Sequence, residues 1–258
     1  MAINRILWKN PFHLTQVPKW NCPTCSIGIL KLKEEYFIEK EAPSSLNDRK
    51  NEEWEPDWIY GVFSGILECN NQSCGDFISI CGKMRANQQE EYYEELNRVE
   101  IFCHNYMYIE LAIPELNIFN IENDVPDNIK TAIRNSFKLF WTDNSSCGNK
   151  IRTVVELIMD DKKVKKTYMV KGKRKNYMLH NRIEQFKITN PLEAEYLMAI
   201  KWLGNSGSHT SDELTRDDIL DGFEILELVT TKIYEKNTSR INLLSKKINK
   251  QKGPIKKN

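Results

Sequence analysis

Ala199-Ile200-Lys201-Trp202-Leu203-Gly204-Asn205-Ser206-Gly207-Ser208-His209 is the stretch on which the reading of this chain turns. An apolar helical run ends there in a turn made of glycine, asparagine and serine, and a histidine follows at once. Glycine reaches backbone angles that other residues resist, so Gly204 and Gly207 are expected to stop the helix and re-aim the chain. Asn205 and His209 then stand at a helix mouth. Two readings fit. Either the pair caps a helix end, with His209 bonded to a neighbouring carbonyl, or it belongs to a polar site between helices.

Outward from this stretch the periodicity is helical from Asp127 onward. Ile129, Ala132, Ile133, Phe137 and Phe140 recur at spacings of three and four, with Asp127 as cap. A turn at Asp143-Asn144-Ser145-Ser146 follows. The next helix carries Ile151, Val154, Val155 and Ile158 on one face, and Arg152 and Glu156 four apart on a shared face. Leu179 to Ile188 reads as a short helix. Pro191 opens another, with Leu192, Ala194, Tyr196, Leu197, Ile200 and Trp202 as its apolar residues. Thr215, with Asp218 three later, starts the last, whose apolar face holds Ile219, Leu220, Phe223, Leu226, Val229, Ile233 and Tyr234. This is an all-α bundle of four to five helices over 126–237, with a Lys/Asn-rich tail over 238–258 expected to fray. Between the second and third helices, residues 162–175 hold eight basic side chains. Lys165, Lys166, Lys171, Lys173, Arg174 and Lys175 read equally as a phosphate-binding loop or as solvated surface.

Towards the N-terminus the pattern is β-rich. Cys22-Pro23-Thr24-Cys25 is a Cys-x2-Cys knuckle, and Cys69-Asn70-Asn71-Gln72-Ser73-Cys74 is a Cys-x4-Cys turn. A hairpin surrounds the second, from Tyr60 to Leu67 and from Phe77 to Cys81. Four thiolates at two tips suit a tetrahedral structural Zn2+ site and leave no open position for water, so the metal is expected to be structural. The 43 residues between Cys25 and Cys69 are longer than a compact ribbon needs; they hold a strand-like piece, Ile27 to Phe37, and a loop-like acidic run from Glu39 to Asp57. Cys81, Cys103 and Cys147 lack partner spacing. Residues 84–126 bridge to the helices, with Val99 to Leu111 rich in aromatic and β-branched residues. The fold class expected is α+β: a zinc-ribbon-like β-rich domain over 1–125, then the bundle.

Lysine plus arginine number 37 against 36 acids, which excludes a protein coated in positive charge but not a local patch. No apolar run reaches the ~20 residues that span a bilayer, and the N-terminus lacks a signal-peptide apolar core. A cytoplasmic protein with no membrane partner is expected. Seven cysteines in a reducing compartment favour metal binding over disulfides.

Ile113-Pro114, Val125-Pro126, Ser136-Phe137-Lys138-Leu139-Phe140-Trp141, Ile151-Arg152-Thr153-Val154-Val155-Glu156, Leu179-His180-Asn181-Arg182-Ile183 and the Ala199–His209 stretch together resemble the bacterial domain-of-unknown-function family 4145, over roughly residues 100–235. Its members occur alone, behind cysteine knuckles, or attached to restriction enzymes. That family is similar to the HEPN helical bundles, many of them metal-independent ribonucleases of phage defence that work as dimers. The resemblance implies a homodimer through the bundle, RNA, DNA or a protein as partner, and a motif of arginine, polar residue and histidine. Aligned on His209, the polar residue is Asn205, but Gly204 stands where the arginine belongs. Arg152 or Lys201 is the candidate substitute, with Glu156 beside Arg152. Two functions follow: a zinc-stabilised binding module, or a ribonuclease with His209 as general acid/base.

Overall fold

The computed structural model describes residues 3–9, 11–93, 98–206 and 214–254. The chain divides into two compact units: Met1–Ile118 with Phe137–Asn144, and Phe119–Ser136 with Ser145–Asn258. A sheet in the first and helices in the second make the fold α+β, as the change of periodicity indicates.

The first unit is a four-stranded antiparallel sheet in the order β1-β2-β3-β4, from β1 (Leu30–Glu41), β2 (Tyr60–Cys69), β3 (Phe77–Tyr93) and β4 (Arg98–Ile113). Alternation fixes its two faces. Phe63, Leu67, Ile78, Ile80, Met84, Met107 and Ile109 are buried on the inner face. Trp8 of the short helix α1 (Ile6–Lys9) and Phe12 pack under that face. Phe12 meets Phe63 edge-on at 5.9 Å and Trp20 at 6.0 Å. Trp8 reaches Trp20, Phe140 and Trp141 within 6.5 Å. Each large side chain removed from water contributes roughly 1.5–3 kcal/mol, so these rings hold much of the unit together. The 84–126 bridge is not a separate linker. Most of it continues the sheet, because β3 and β4 pair from Ser79↔Ile113 to Tyr93↔Arg98. The run from Glu39 is partly ordered too: β1 extends to Glu41, and Pro43 starts a one-turn helix, α2 (Pro43–Asp48).

The expected helices are α3 (Asp127–Leu139), α4 (Asn144–Asp161), α5 (Leu179–Lys187), α6 (Pro191–Ser206) and α7 (Arg216–Tyr234), all in the second unit except for the last turn of α3 and the first residue of α4. Ile133, Ile151, Val154, Ile158, Ile183, Leu197, Ile200, Phe223 and Leu226 are fully buried along their facing stripes. Thr215 and Asp218 make a reciprocal capping box that opens α7. Three details differ from the sequence reading. Gly204 does not end α6, which continues to Ser206. The basic loop is a hairpin, β5 (Thr167–Val170) and β6 (Lys173–Asn176), turned by Lys171 and Gly172 at φ 47° and 72°. Positive φ at both positions marks the type I′ turn that suits strand twist. The tail does not fray at 238: Lys236–Gln251 forms α8, with Ile241, Leu244 and Ile248 on one side of it and exposed. The boundary at 125–126 falls just before α3, whereas the compact units divide at 118–119 and again at 136–137 and 144–145.

Candidate metal centre and polar helix face

The two cysteine turns converge. Cys22 starts a tight turn closed by Ser26 N–H to the Cys22 carbonyl and by Cys22 N–H to the Gly28 carbonyl. Opposite it, Cys69 N–H bonds to Asp76 O and Cys74 N–H to Asn71 O. The halves are stitched by Asn70 N–H to Ile29 O, by Ile29 N–H to Asn70 Oδ1 at 2.8 Å, and by a short bond from Thr24 to the Asp76 carboxylate. The Thr24 hydroxyl, then the Phe77 N–H, hold that carboxyl below its ordinary range.

All four sulfurs lie within 4.8 Å of one another. Cys22 and Cys74 are 3.8 Å apart, and Cys25 and Cys69 are 3.7 Å. An ion bound tetrahedrally by thiolates at ~2.3 Å sets its sulfurs about 3.8 Å apart, so the four side chains fit one metal ion. The thiols are unequal. N–H groups of Gly28 and Ile27 hold Cys25 down to about 6, and burial pushes Cys69 up to about 12. Gly28 also explains its own identity. A Cβ there would lie 2.3 Å from Cys69 Sγ and 2.9 Å from the Asn71 Cβ, so any side chain would displace the Cys69 sulfur. Cys81, Cys103 and Cys147 stand apart from the cluster. Cys147 is buried in α4 with its sulfur 3.2 Å from the Ser136 carbonyl.

In the second unit, Gly204 faces Arg152. A Cβ on Gly204 would come 2.6 Å from Arg152 Cβ and 2.8 Å from the Gly148 carbonyl oxygen. The glycine is therefore a close-approach position between α6 and α4. Arg152 pairs with Glu156 at 3.2 Å, while its Nε is buried with no acceptor among the described residues. Lys201 is 7% exposed and takes a place on the apolar stripe of Ala194, Leu197 and Ile200. Burial and then the Arg152 charge lower its pKa, and its ammonium lies 3.0 Å from the centre of the Trp202 ring. Trp202 and Leu192, read as apolar-face residues, turn outward at 55% and 44% exposed. Their places on the 3.6-residue period lie beside the stripe, not on it. The Trp202 ring stands 6.0 Å from His180.

Of the proposed catalytic set, Arg152 and Glu156 pair on α4, Lys201 of α6 lies within the field of the Arg152 charge, and Asn205 is partly exposed near the end of α6. His209 lies outside the described residues. Sequence reasoning missed the neighbouring network. Arg182, 5% exposed, donates to Asp160 at 2.7 Å and to the Val164 carbonyl, and Lys166 reaches Asp160 at 2.5 Å. Burial pushes the Asp160 carboxyl up, but these two cations outweigh it and the net shift is down. Both arginine and aspartate were visible in sequence, 22 residues apart, with no local spacing to join them. Of the six hairpin cations, Lys166 is committed to Asp160. All six, including Lys165, Lys171, Lys173, Arg174 and Lys175, are exposed.

Residues 134–252 match the model of a domain of unknown function, DUF4145, in line with the resemblance read from the motifs. Residues 10–109 match another domain of unknown function, DUF8608. No curated protein and no solved structure matches the chain.

Proposed function

We propose that this chain is a zinc-stabilised binding module, a zinc-ribbon-like sheet unit with a HEPN-like helical unit, that associates with nucleic acid in a bacterial restriction or phage-defence system. The observation that carries the module reading is the convergence of Cys22, Cys25, Cys69 and Cys74 into one cluster, all sulfurs within 4.8 Å and two pairs at 3.7 and 3.8 Å. A bound Zn2+ would draw charge from four thiolates, cross-link the two turns and leave no coordination position for substrate, which suits a structural role. The exposed cations of the β5–β6 hairpin support association with phosphates, and the defence setting rests on the family resemblance. The test is fluorescence anisotropy with labelled RNA and DNA. Lys173→Gln/Arg174→Gln is expected to weaken binding and flatten its salt dependence. Absence of binding to either polymer by the intact protein would end the nucleic-acid part of the reading.

A second reading, a metal-independent ribonuclease, is favoured by the apposition of Arg152 to Gly204. The Cβ and Cδ of Arg152 lie against the position where the related motif has its arginine, which supports a substitute role for its guanidinium. A cation there would stabilise charge developing on a scissile phosphate, with His209 as general acid/base. A dimer would bring two such faces together. RNA cleavage lost in both Arg152→Ala and His209→Ala, with folding unchanged, would favour this reading over the module.

A further inference from the structure

The outer face of the β-sheet carries a row of aromatic side chains interleaved with cations. Along β4, Phe102, His104, Tyr106 and Tyr108 occupy every second position on that face, opposite in sense to the buried Met107 and Ile109. Phe102 and His104 stack in nearly parallel planes at 6.2 Å, and His13 links His104 and Tyr106 with ring separations of 4.7 and 6.0 Å. Register adds the neighbours. Tyr60, Arg85 and Tyr106 form one cross-strand row; Lys40, Val62, Lys83 and Tyr108 form the next. The Tyr60 hydroxyl donates to Ser44 Oγ at 2.6 Å, which fixes its ring.

The β1, β2 and β3 members of these rows, Lys40, Tyr60, Val62, Lys83 and Arg85, line a groove of 630 Å³ together with Glu41, whose carboxylate is taken by Arg49; Tyr106 and Tyr108 continue the surface beside it. Val62, Tyr60 and Tyr108 are 60%, 40% and 41% exposed, so an apolar floor faces solvent where a solvated sheet face normally alternates to polar residues. The acids on this face are already engaged. Glu110 pairs with Lys83 at 2.5 Å and Glu68 with Lys33 at 2.7 Å, whereas Lys40 and Arg85 make no ion pair among the described residues. Asp48 and Asp57 share a smaller recess with Arg85 and bound the surface on that side.

From this juxtaposition we infer that the outer sheet face is a binding surface for single-stranded nucleic acid, with bases stacked on Tyr60, Tyr106 and Tyr108 and phosphates held by Lys40 and Arg85. Successive rings on β4 are about 6.8 Å apart along the strand, two stacking steps of ~3.4 Å, which leaves room for one base at each ring. Every base has a π-face, so such a row binds with little sequence preference. An acidic peptide would satisfy the cations but not the aromatic row. A duplex keeps its base faces covered. The inference rests on the nucleic-acid reading above, and it places the contact on a surface separate from the hairpin.

The experiment uses the full zinc-loaded chain and fluorescein-labelled 12-nucleotide single strands, RNA and DNA, of mixed sequence. Tyr106→Ala/Tyr108→Ala is expected to weaken binding at least tenfold, while Tyr106→Phe/Tyr108→Phe stays near the parent because the stacking face is kept. Lys40→Gln/Arg85→Gln is expected to lower the slope of log affinity against log salt by roughly 1.4, about 0.7 for each phosphate no longer neutralised. Melting temperature and metal content are followed for each variant. Should the alanine pair not fold, the phenylalanine pair and the salt slope decide. Parent-like affinity and salt slope in the sheet variants, with weakened binding in Lys173→Gln/Arg174→Gln, would overturn this surface and leave the hairpin reading standing. No binding of any strand by the parent would overturn both. Binding of an acidic peptide at this face, in place of nucleic acid, would also overturn it.

Discussion

Gly204 and Arg182 show how single residues are set by their surroundings. Gly204 looks like a helix stop in sequence because glycine commonly ends helices. In the structure it is a point of close approach, with Arg152 Cβ and the Gly148 carbonyl where its own Cβ would go. Gly204→Ala is therefore expected to lower stability by about 1–3 kcal/mol through overpacking, read as a fall in melting temperature. An unchanged melting temperature would mean the two helices part without cost. Arg182 depends on Asp160. Asp160→Asn leaves a guanidinium that is 5% exposed without its carboxylate. The expected loss is about 3 kcal/mol, the low end for one partner of a buried pair because Asp160 remains 30% exposed. The pH dependence follows in sign. Asp160 has a folded pKa below its ordinary value, so its stabilisation is present above that value and is lost as pH falls through the folded pKa. Acid melts of the parent should fall faster than those of Asp160→Asn below about pH 4. Parallel curves would contradict the assignment.

Elements were legible in sequence where one local rule dominated. The hairpin of β2 and β3 was visible as alternation about a polar turn. The capping box of α7 was visible as Thr215 and Asp218, and Thr215→Ala is expected to cost about 1 kcal/mol in urea unfolding. Two competing signals hid other elements. In β5 and β6 the strands are four residues each and the run of lysines suggests solvated coil, while the turn at Lys171-Gly172 is the decisive feature. In β3 the charged stretch around Glu90 carries no strand signal of its own, but pairing with β4 carries the strand to Tyr93. The exposed flank of α6 was misread because Lys201 takes an apolar place on the stripe and Trp202 is displaced outward. The cysteine cluster was legible in its two paired spacings. Its dependence on Gly28 was not, since the close approach spans 41 positions between Gly28 and Cys69. The aromatic ladder of β4 was visible as composition, but its common face appears once register is known.

At the scale of the whole molecule, the chain divides into two compact units, and the four-cysteine cluster lies in the first. No helix among the described residues is long and apolar enough to cross a membrane. Chelation is expected to act unevenly. Removing metal should loosen the tryptophan cluster of Trp8, Trp20 and Trp141, seen in near-ultraviolet dichroism, while most far-ultraviolet helical signal persists. Simultaneous loss of both signals would show that the units unfold together. The most direct measurement is metal content by mass spectrometry on the purified chain and on Cys74→Ser, alongside thiol titration. One zinc per chain, four of the seven thiols protected until a chelator is added, and loss of zinc with lower stability in Cys74→Ser is the expected result. A fully stable protein with no bound metal and four freely reactive thiols in the cluster would contradict the zinc-stabilised module at its root.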